Sequence, residues 1–367
     1  MGKPRIKDVA ARAGVGVSTV SVVLNNVEGA RVSLETRERI LSAARDLGYT
    51  SDPIARSLRT RRTQTIGFVG DDIATTPFAG RMIQGAQDAA WQAGYLLFLV
   101  NTGGEHALER HAVRALLDRS VDGVIYATMY HRHVEVPELL GDVRTVVLDA
   151  RPTGGSMPYV VPDERGGAAA AVGELLRAGH RRIGFATESL EVPAATGRLA
   201  GYHETLAAAG IPADPELVAA EHGDTAGGYR TASRLLDLGE RPTAIFCYND
   251  RMAMGCYRAA AERGLRIPHD LSVVGYDDQD LIAPELSPAL TTVALPHYEM
   301  GTWAVRRLLR LVQDDPEQGE QGHLMPCPLV RRDSVGPPQP AHVQPTGCQL
   351  SRSVRTDRSS VPPPVAQ

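Results

Sequence analysis

The chain reads as an all-α helix-turn-helix head joined to an α/β core of two lobes, each a doubly wound parallel sheet covered by helices. Three observations carry that reading. Residues 6–25, IKDVAARAGVGVSTVSVVLN, hold two short helical periods around a glycine turn. From residue 64 onward, short β-branched or aromatic runs alternate with amphipathic stretches, the pattern of parallel strands joined by helical crossovers. Charge divides at the same place: residues 1–62 hold 12 Lys+Arg against 6 Asp+Glu, net +6, and the remainder holds 27 against 37, net −10. A basic head on an acidic body is the footprint of a nucleic-acid reader with a separate soluble domain.

Within the head, Ile6, Val9, Ala10 and Ala13 fall at i, i+3, i+4 and i+7 and make one apolar stripe. A helix that short cannot bury its stripe alone, so partners must lie close by. Gly14-Val15-Gly16 interrupts it. Helical periodicity resumes at Val17, with Val20, Val23 and Leu24 inward and Ser18, Thr19, Ser21 and Val22 on the other faces. A third helix is expected from an N-cap at Ser33, with Glu35 in its first turn, through Ile40, Leu41, Ala44 and Leu47 to Gly48, a C-terminal stop. Three stripes then close one small core.

Residues 51–63 form a linker in which Asp52 can cap a helix beginning at Pro53, with Ile54, Ala55 and Leu58 on one face. About two turns is well below the roughly 12–15 residues an isolated helix needs to persist in water, so this segment should fold only when docked. In the core, TIGFV (65–69), YLLFLV (95–100), GVIYA (123–127) and TVVLD (145–149) read as one series of strands. RIGFAT (182–187), residues 217–220, TAIFCY (243–248) and LSVVGY (271–276) read as a second, with helices near 166–178, 196–209, 225–238 and 250–263. Two such series imply two lobes with a cleft between them. Residues 337–367 contain seven prolines and no amphipathic period, and disorder is expected there.

Composition and motifs exclude several classes. With 367 residues, 43% hydrophobic and 22% charged, the chain should split into at least two domains. The strongest apolar run, residues 95–100, is too short to span a bilayer, and no export signal is seen, so a cytoplasmic protein without a membrane role is expected. Cys247, Cys256, Cys327 and Cys348 lack CxxC pairing and read as reduced. There is no GxxxxGK[ST] loop, and the Gly14-Val15-Gly16 triplet lies between helices rather than after a strand. His203-Glu204 begins like a zinc-protease helix, but Ala207 stands where a second ligand belongs. His131 and His133 flank one arginine in an expected loop and read as surface histidines. Asp277, Asp278 and Asp280 follow a strand, at the carboxyl end where open α/β sheets place ligand contacts. No catalytic residue, metal site or cofactor is expected.

In order and spacing, IKDVAARAGV, STVS, LN, ETRERI, LGY and ARSLRT resemble the head of the lactose-repressor (LacI/GalR) family of bacterial transcription regulators. The body is similar to that family's periplasmic-binding-protein-like (type I) core through RAGHRRIGF (177–185), GRLAGY (197–202), YNDRMAMG (248–255), AAAERGLRIPHDLSVVGYDD (259–278) and PALTT (288–292). The resemblance implies a head at 1–50, a hinge helix and linker at 51–63, a core at 64–333 and a tail at 334–367. It also implies crossings between lobes near Val161, Thr291 and His323. Lobe one would comprise about 64–161 and 294–320, and lobe two about 162–293 and 321–333.

For function, the resemblance implies a homodimer on a pseudo-palindromic double-stranded operator, repressing genes for carbohydrate uptake or catabolism in response to a small-molecule effector, most simply a sugar. A purine, nucleoside or other metabolite is the alternative effector, and a cytoplasmic solute-binding protein with a vestigial head is the alternative of another class. By motif position Val17, Ser18 and Val22 would face bases, Thr19 and Ser21 phosphates, and Lys7, Asn25, Arg56 and Arg59 would complete the DNA contacts. Leu58 would wedge into the minor groove. Gly16 stands where the family usually has a serine cap, and Val22 where an arginine or histidine is frequent. Arg198, Asn249 and Asp277 would bind effector from the far lobe and Phe78 from the near one. Thr225 would stand where relatives often carry an aromatic ring.

Overall fold

A computed structural model describes residues 4–25, 31–49, 62–76, 79–154, 157–315 and 321–339. The head is built from α1 (Ile6–Ala13), α2 (Val17–Leu24) and α3 (Leu34–Asp46), closed around Val9, Ala10, Ala13, Val20, Val23, Ile40 and Ala44. Each expected punctuation mark acts locally. Gly14, at φ 65°, takes the left-handed conformation that ends α1. The Ser33 side chain accepts from the Thr36 N–H, and Gly48, at φ 64°, ends α3. Arg39 Nε donates to the Ala13 carbonyl at 2.9 Å, tying α3 to the end of α1.

The core holds two six-stranded sheets. In the first, the order is β11 (Gly322–Met325), β5 (Tyr159–Pro162), β4 (Thr145–Pro152), β3 (Gly123–Val134), β1 (Thr65–Gly70) and β2 (Leu96–Asn101), with every neighbouring pair parallel. In the second it is β12 (Leu329–Val330), β10 (Thr291–Ala294), β9 (Ser272–Asp277), β8 (Ala244–Cys247), β6 (Ile183–Glu188) and β7 (Val218–Glu221), parallel except where β12 meets β10. The first lobe carries α4 (Gly80–Gln92), α5 (His106–Asp118) and α10 (His297–Val312); the second carries α6 (Glu164–Arg177), α7 (Pro193–Ala208), α8 (Thr225–Leu236) and α9 (Asp250–Glu262). The crossing of α4 and α10 depends on glycine at the contact. A Cβ on Gly85 would lie 2.0 Å from the Tyr298 carbonyl oxygen, and one on Gly301 would lie 2.1 Å from that of Met82.

The two expected strand series are present, and so are the first two lobe crossings, after β5 and after β10. Three expectations are corrected. Residues 322–325 pair with β5 in the first sheet, so the third crossing falls at 326–328, and residues 321–325 belong to lobe one. The core does not stop at 333: Ser334 is buried, accepts from the Thr291 N–H at 2.8 Å and donates to the Val273 carbonyl at 2.6 Å, and the Gly336 carbonyl lies 2.8 Å from His180 Nε2. Residues 340–367 lie outside the described residues. Finally, β3 runs on to Val134 through a register shift between Ala127 and Arg132, so His131 and His133 sit on a strand rather than a loop.

Candidate DNA-reading surface and inter-lobe cavity

On α2, the inward positions Val20 and Val23 leave the opposite face to Val17, Ser18, Ser21 and Val22. Val17 is 45% exposed, an unusual placement for valine on a helix this small, and Ser18 is exposed beside it. Such a mix of methyl groups and hydroxyls suits thymine methyls and phosphates. Thr19, Ser21 and Val22 are half-buried, and Lys7 is exposed on α1. Asn25 ends the helix on the same side: its Nδ2 donates to the Ser21 carbonyl at 2.6 Å, closing the end of α2. Arg56, Leu58 and Arg59 lie outside the described residues.

Between the lobes, the second wall is assembled around Arg198 on α7. Its Nε donates to Glu164 Oε2 at 2.8 Å, its Nη1 donates to the Tyr248 carbonyl, and Asp277 Oδ1 lies 3.7 Å away. The guanidinium also stacks on Tyr276 and Tyr248, 3.6 and 4.4 Å from the ring centroids. Arg198 and Asp277 therefore lie on one wall within ion-pair distance, and Glu164, the first residue of α6, is the closer partner. Burial alone would raise the Glu164 pKa, but Arg198 and His131 outweigh it and hold the carboxyl below its ordinary value. For Asp277 burial prevails over Arg198 and Gln279, and the pKa is pushed up to about 6.

Asn249 lines the cavity, but its amide already serves the fold. Its Oδ1 caps α9 by accepting from the Met252 N–H at 2.8 Å, and its Nδ2 donates to the Gly223 carbonyl at 2.9 Å. One N–H is left for a ligand. Thr225, at the first position of α8, is exposed and absent from the cavity lining. Phe78 lies outside the described residues.

The first wall contains residues that the motifs did not bring forward. Asp149 lies in the buried part of β4 with φ 59°, a conformation strained for aspartate, and its Oδ1 is buried without a hydrogen-bond partner. Burial, then the neighbouring Glu164 carboxylate, raises its pKa well above the ordinary value. His131 is buried too, correcting its reading as a surface histidine: Arg151 Nε donates to its Nε2 at 3.2 Å, and its Nδ1 faces Glu164 Oε1 at 3.7 Å. Tyr130 and His297 complete this side. The rule that placed Asp277 at a strand's carboxyl end would equally have found Asp149. No comparable signal marks Glu164 or His131, whose roles depend on the meeting of two lobes.

The central cavity measures about 60 Å3, and a neighbouring one of about 400 Å3, sharing Asp277, Leu295 and His297 with it, lies towards Arg81 and the 278–282 loop. The central cavity is well below the roughly 300–1,000 Å3 of ordinary ligand sites. Among the described residues, no group of three or more His, Cys, Asp or Glu could hold a metal ion, and no helix is long and apolar enough to cross a membrane.

A small basic three-helix head and a two-lobed core with a polar cleft define a class of ligand-linked DNA-reading proteins. Residues 5–52 match the bacterial regulatory proteins of the lacI family, and residues 172–335 match the periplasmic binding protein-like domain. The ribose operon repressor of Haemophilus influenzae is 35% identical over 331 residues, spanning 90% of this chain and 98% of that one. Among solved structures, the lac repressor dimer bound to operator and an anti-inducer is 28% identical with a TM-score of 0.70, covering 91% of this chain and 100% of that chain. The transcriptional regulator CelR in complex with cellobiose is 31% identical with a TM-score of 0.64, covering 90% and 100%. The chain belongs to the lacI family of bacterial transcription regulators.

Proposed function

We propose that this regulator is a cytoplasmic, non-enzymatic homodimeric repressor of carbohydrate-utilisation genes whose effector is a sugar bound between the lobes. The observation that carries the reading is the buried polar layer of Arg198, Glu164, Asp277 and Asp149. It offers a planar donor fork next to carboxyl acceptors, one of them without a protein partner. Vicinal hydroxyls, each donor and acceptor at once, match that arrangement. A nucleobase needs an open aromatic face, whereas Tyr248 and Tyr276 are stacked on Arg198 and Tyr130 carries Arg132 at 5.2 Å. The likeness to a ribose operon repressor and to a regulator in complex with cellobiose supports the sugar class.

The edge strand β2 leaves Leu96, Phe98 and Leu99 exposed, an apolar edge that a second copy would cover in a dimer. Two heads would then read a pseudo-palindrome through α2, with Val17, Ser18 and Val22 towards bases, Thr19, Ser21, Lys7, Arg56 and Arg59 towards phosphates, and Leu58 in the minor groove.

The deciding experiment is a thermal-shift screen of pentoses, hexoses, disaccharides and nucleosides on the full chain, followed by operator titration with each hit. A sugar that raises the melting temperature and changes operator affinity is expected. Asp277→Ala should bind operator normally and ignore that sugar; an unchanged response places the effector elsewhere. On the DNA side, Leu58→Ala should lose specific binding and keep low-salt non-specific binding, whereas equal loss of both would remove the wedge.

A further inference from the structure

Behind the Arg198–Glu164–His131 layer, on the side away from the 278–282 loop, lies a second cavity of about 420 Å3. It is lined from lobe one by His131, His133 and Arg151 and from lobe two by Arg165, Thr196 and the start of α6. Its two carboxylates are committed elsewhere. Asp163 caps α6 by accepting from the Gly166 N–H at 2.9 Å, and Glu164 is paired with Arg198. Arg151 has no carboxylate within 4.0 Å among the described residues: its Nε donates to a neutral acceptor, His131 Nε2, and its guanidinium lies 5.9 Å from the Tyr159 ring. Because Arg151 donates to Nε2, the imidazole proton sits on Nδ1, a buried nitrogen with no hydrogen-bond partner, facing Glu164. The first turn of the 16-residue helix α7 also lines this cavity through Pro193, Thr196 and Gly197 but presents no free N–H there, since Pro193 has none and the Thr196 N–H donates to the Val192 carbonyl at 3.0 Å; Arg165, on the same side, pairs with Glu204.

We propose that this rear cavity is a second ligand site, for a phosphate group, free or carried by a small metabolite as a phosphomonoester. An arginine fork without an acidic partner, the His133 ring and the Arg165 guanidinium, which also pairs with Glu204, meet there from both lobes. An arginine fork among further basic side chains is a standard arrangement for phosphate recognition. A carboxylate group would use one face of the Arg151 fork, whereas a tetrahedral phosphate has oxygens for Arg151 and a second basic side chain at once. The wall between this cavity and the effector cavity is the His131–Glu164 contact, so a phosphate drawing Arg151 off His131 acts on residues that hold Arg198. The site rests on the charges of the rear cavity alone and not on the sugar reading, so either can fail without the other.

The test is isothermal titration of the full chain, without operator, with inorganic phosphate, glycerol phosphate and glycerol at matched ionic strength. Saturable binding of at least one phosphate compound and none of glycerol is expected; glycerol phosphate binding the tighter would point to a metabolite, inorganic phosphate to the free ion. The basic head can itself bind phosphate, so two substitutions confined to the rear cavity isolate the site. Thr196→Glu puts a negative charge on an exposed lining position, and Arg151→Gln removes the fork. Each should weaken phosphate binding about tenfold or more, the value of one charge-assisted contact, while melting in chloride reports that the variant is folded. If Arg151→Gln melts early, Arg165→Gln, at an exposed position, takes its place. Phosphate affinity unchanged in the folded variants, or no saturable binding in the parent, overturns the site.

Discussion

The two walls of the effector cavity solve the problem of buried charge in opposite ways. On the second lobe, Glu164, Arg198 and Asp277 satisfy one another and are fixed by Tyr248 and Tyr276 before any ligand arrives. On the first lobe, Asp149 is held in a strained conformation with an acceptor facing nothing. The difference assigns an order to binding. The prepared wall can take a ligand without reorganising, and the unsatisfied wall gains most from the lobes moving around it. Under the proposed effector reading, closure would be driven by Asp149 and its neighbours, and recognition would reside in the Arg198 wall.

Removing the centre of the prepared wall should have the largest effect. Arg198→Met leaves Glu164 and Asp277 as buried carboxylates without their cation, and breaking a buried pair typically costs about 3–5 kcal/mol. Urea unfolding of the full chain, followed by a core-specific signal, should show that loss, and Glu164→Gln should cost less because the guanidinium keeps Asp277 and the Tyr248 carbonyl. An Arg198→Met midpoint equal to that of the parent would mean the wall is not prepared, and the contrast between lobes would collapse.

Within the same wall, Glu164 and Asp277 should respond to pH with opposite signs. Glu164 is held below its ordinary pKa, so the stability it contributes is present above that value and lost as pH falls through the lowered one. Asp277 is raised from 3.8 to about 6, so the native state holds its proton more tightly than the unfolded chain. Stability from this group therefore falls as pH rises through that window and is level above it, by at most about 3 kcal/mol for a shift of two units. Other raised carboxyls, among them Asp149 and Asp250, share the slope. The check is the difference between parent and Asp277→Asn in denaturant midpoint from pH 4 to 7. The variant should be flatter between about pH 4.5 and 6, and identical slopes would remove Asp277 from the coupled wall.

What the sequence revealed follows the same division. Head helices and both strand series were legible because each rests on local period, a cap or a glycine, as Gly14, Ser33 and Gly48 illustrate, whereas the crossings came from the resemblance alone. Arg198, Asn249 and Asp277 were legible because they lie in motifs of the second lobe. Glu164 and His131 were not, since neither carries a local mark: one opens a helix after a crossing, the other sits in a strand extension beyond a register shift. Their meaning arises only where two lobes meet. Residues 321–325 and Ser334 were misplaced because two short segments of low hydrophobicity choose their sheet by pairing with distant strands, which no window of sequence displays.

The smallest expected change tests the unsatisfied wall most sharply. Asp149 is raised well above its ordinary value, so its native form favours the neutral acid, and asparagine is nearly its isostere. Its Oδ1 has no protein partner to lose, so Asp149→Asn should leave stability at neutral pH within about 1 kcal/mol of the parent, or raise it slightly by removing a buried acid beside Glu164. An effector hydroxyl that donates to this position would still find an acceptor in the amide oxygen, but an amide cannot ionise on ligand contact as a carboxyl can. Effector affinity should therefore fall while stability holds, in contrast to Arg198→Met, where both fall. The two are measured on the same samples by urea midpoint and by titration of the effector found in the thermal-shift screen. A large stability loss in Asp149→Asn would mean that the carboxyl is ionised and paired in solution, and the unsatisfied wall would then be as prepared as the one it faces.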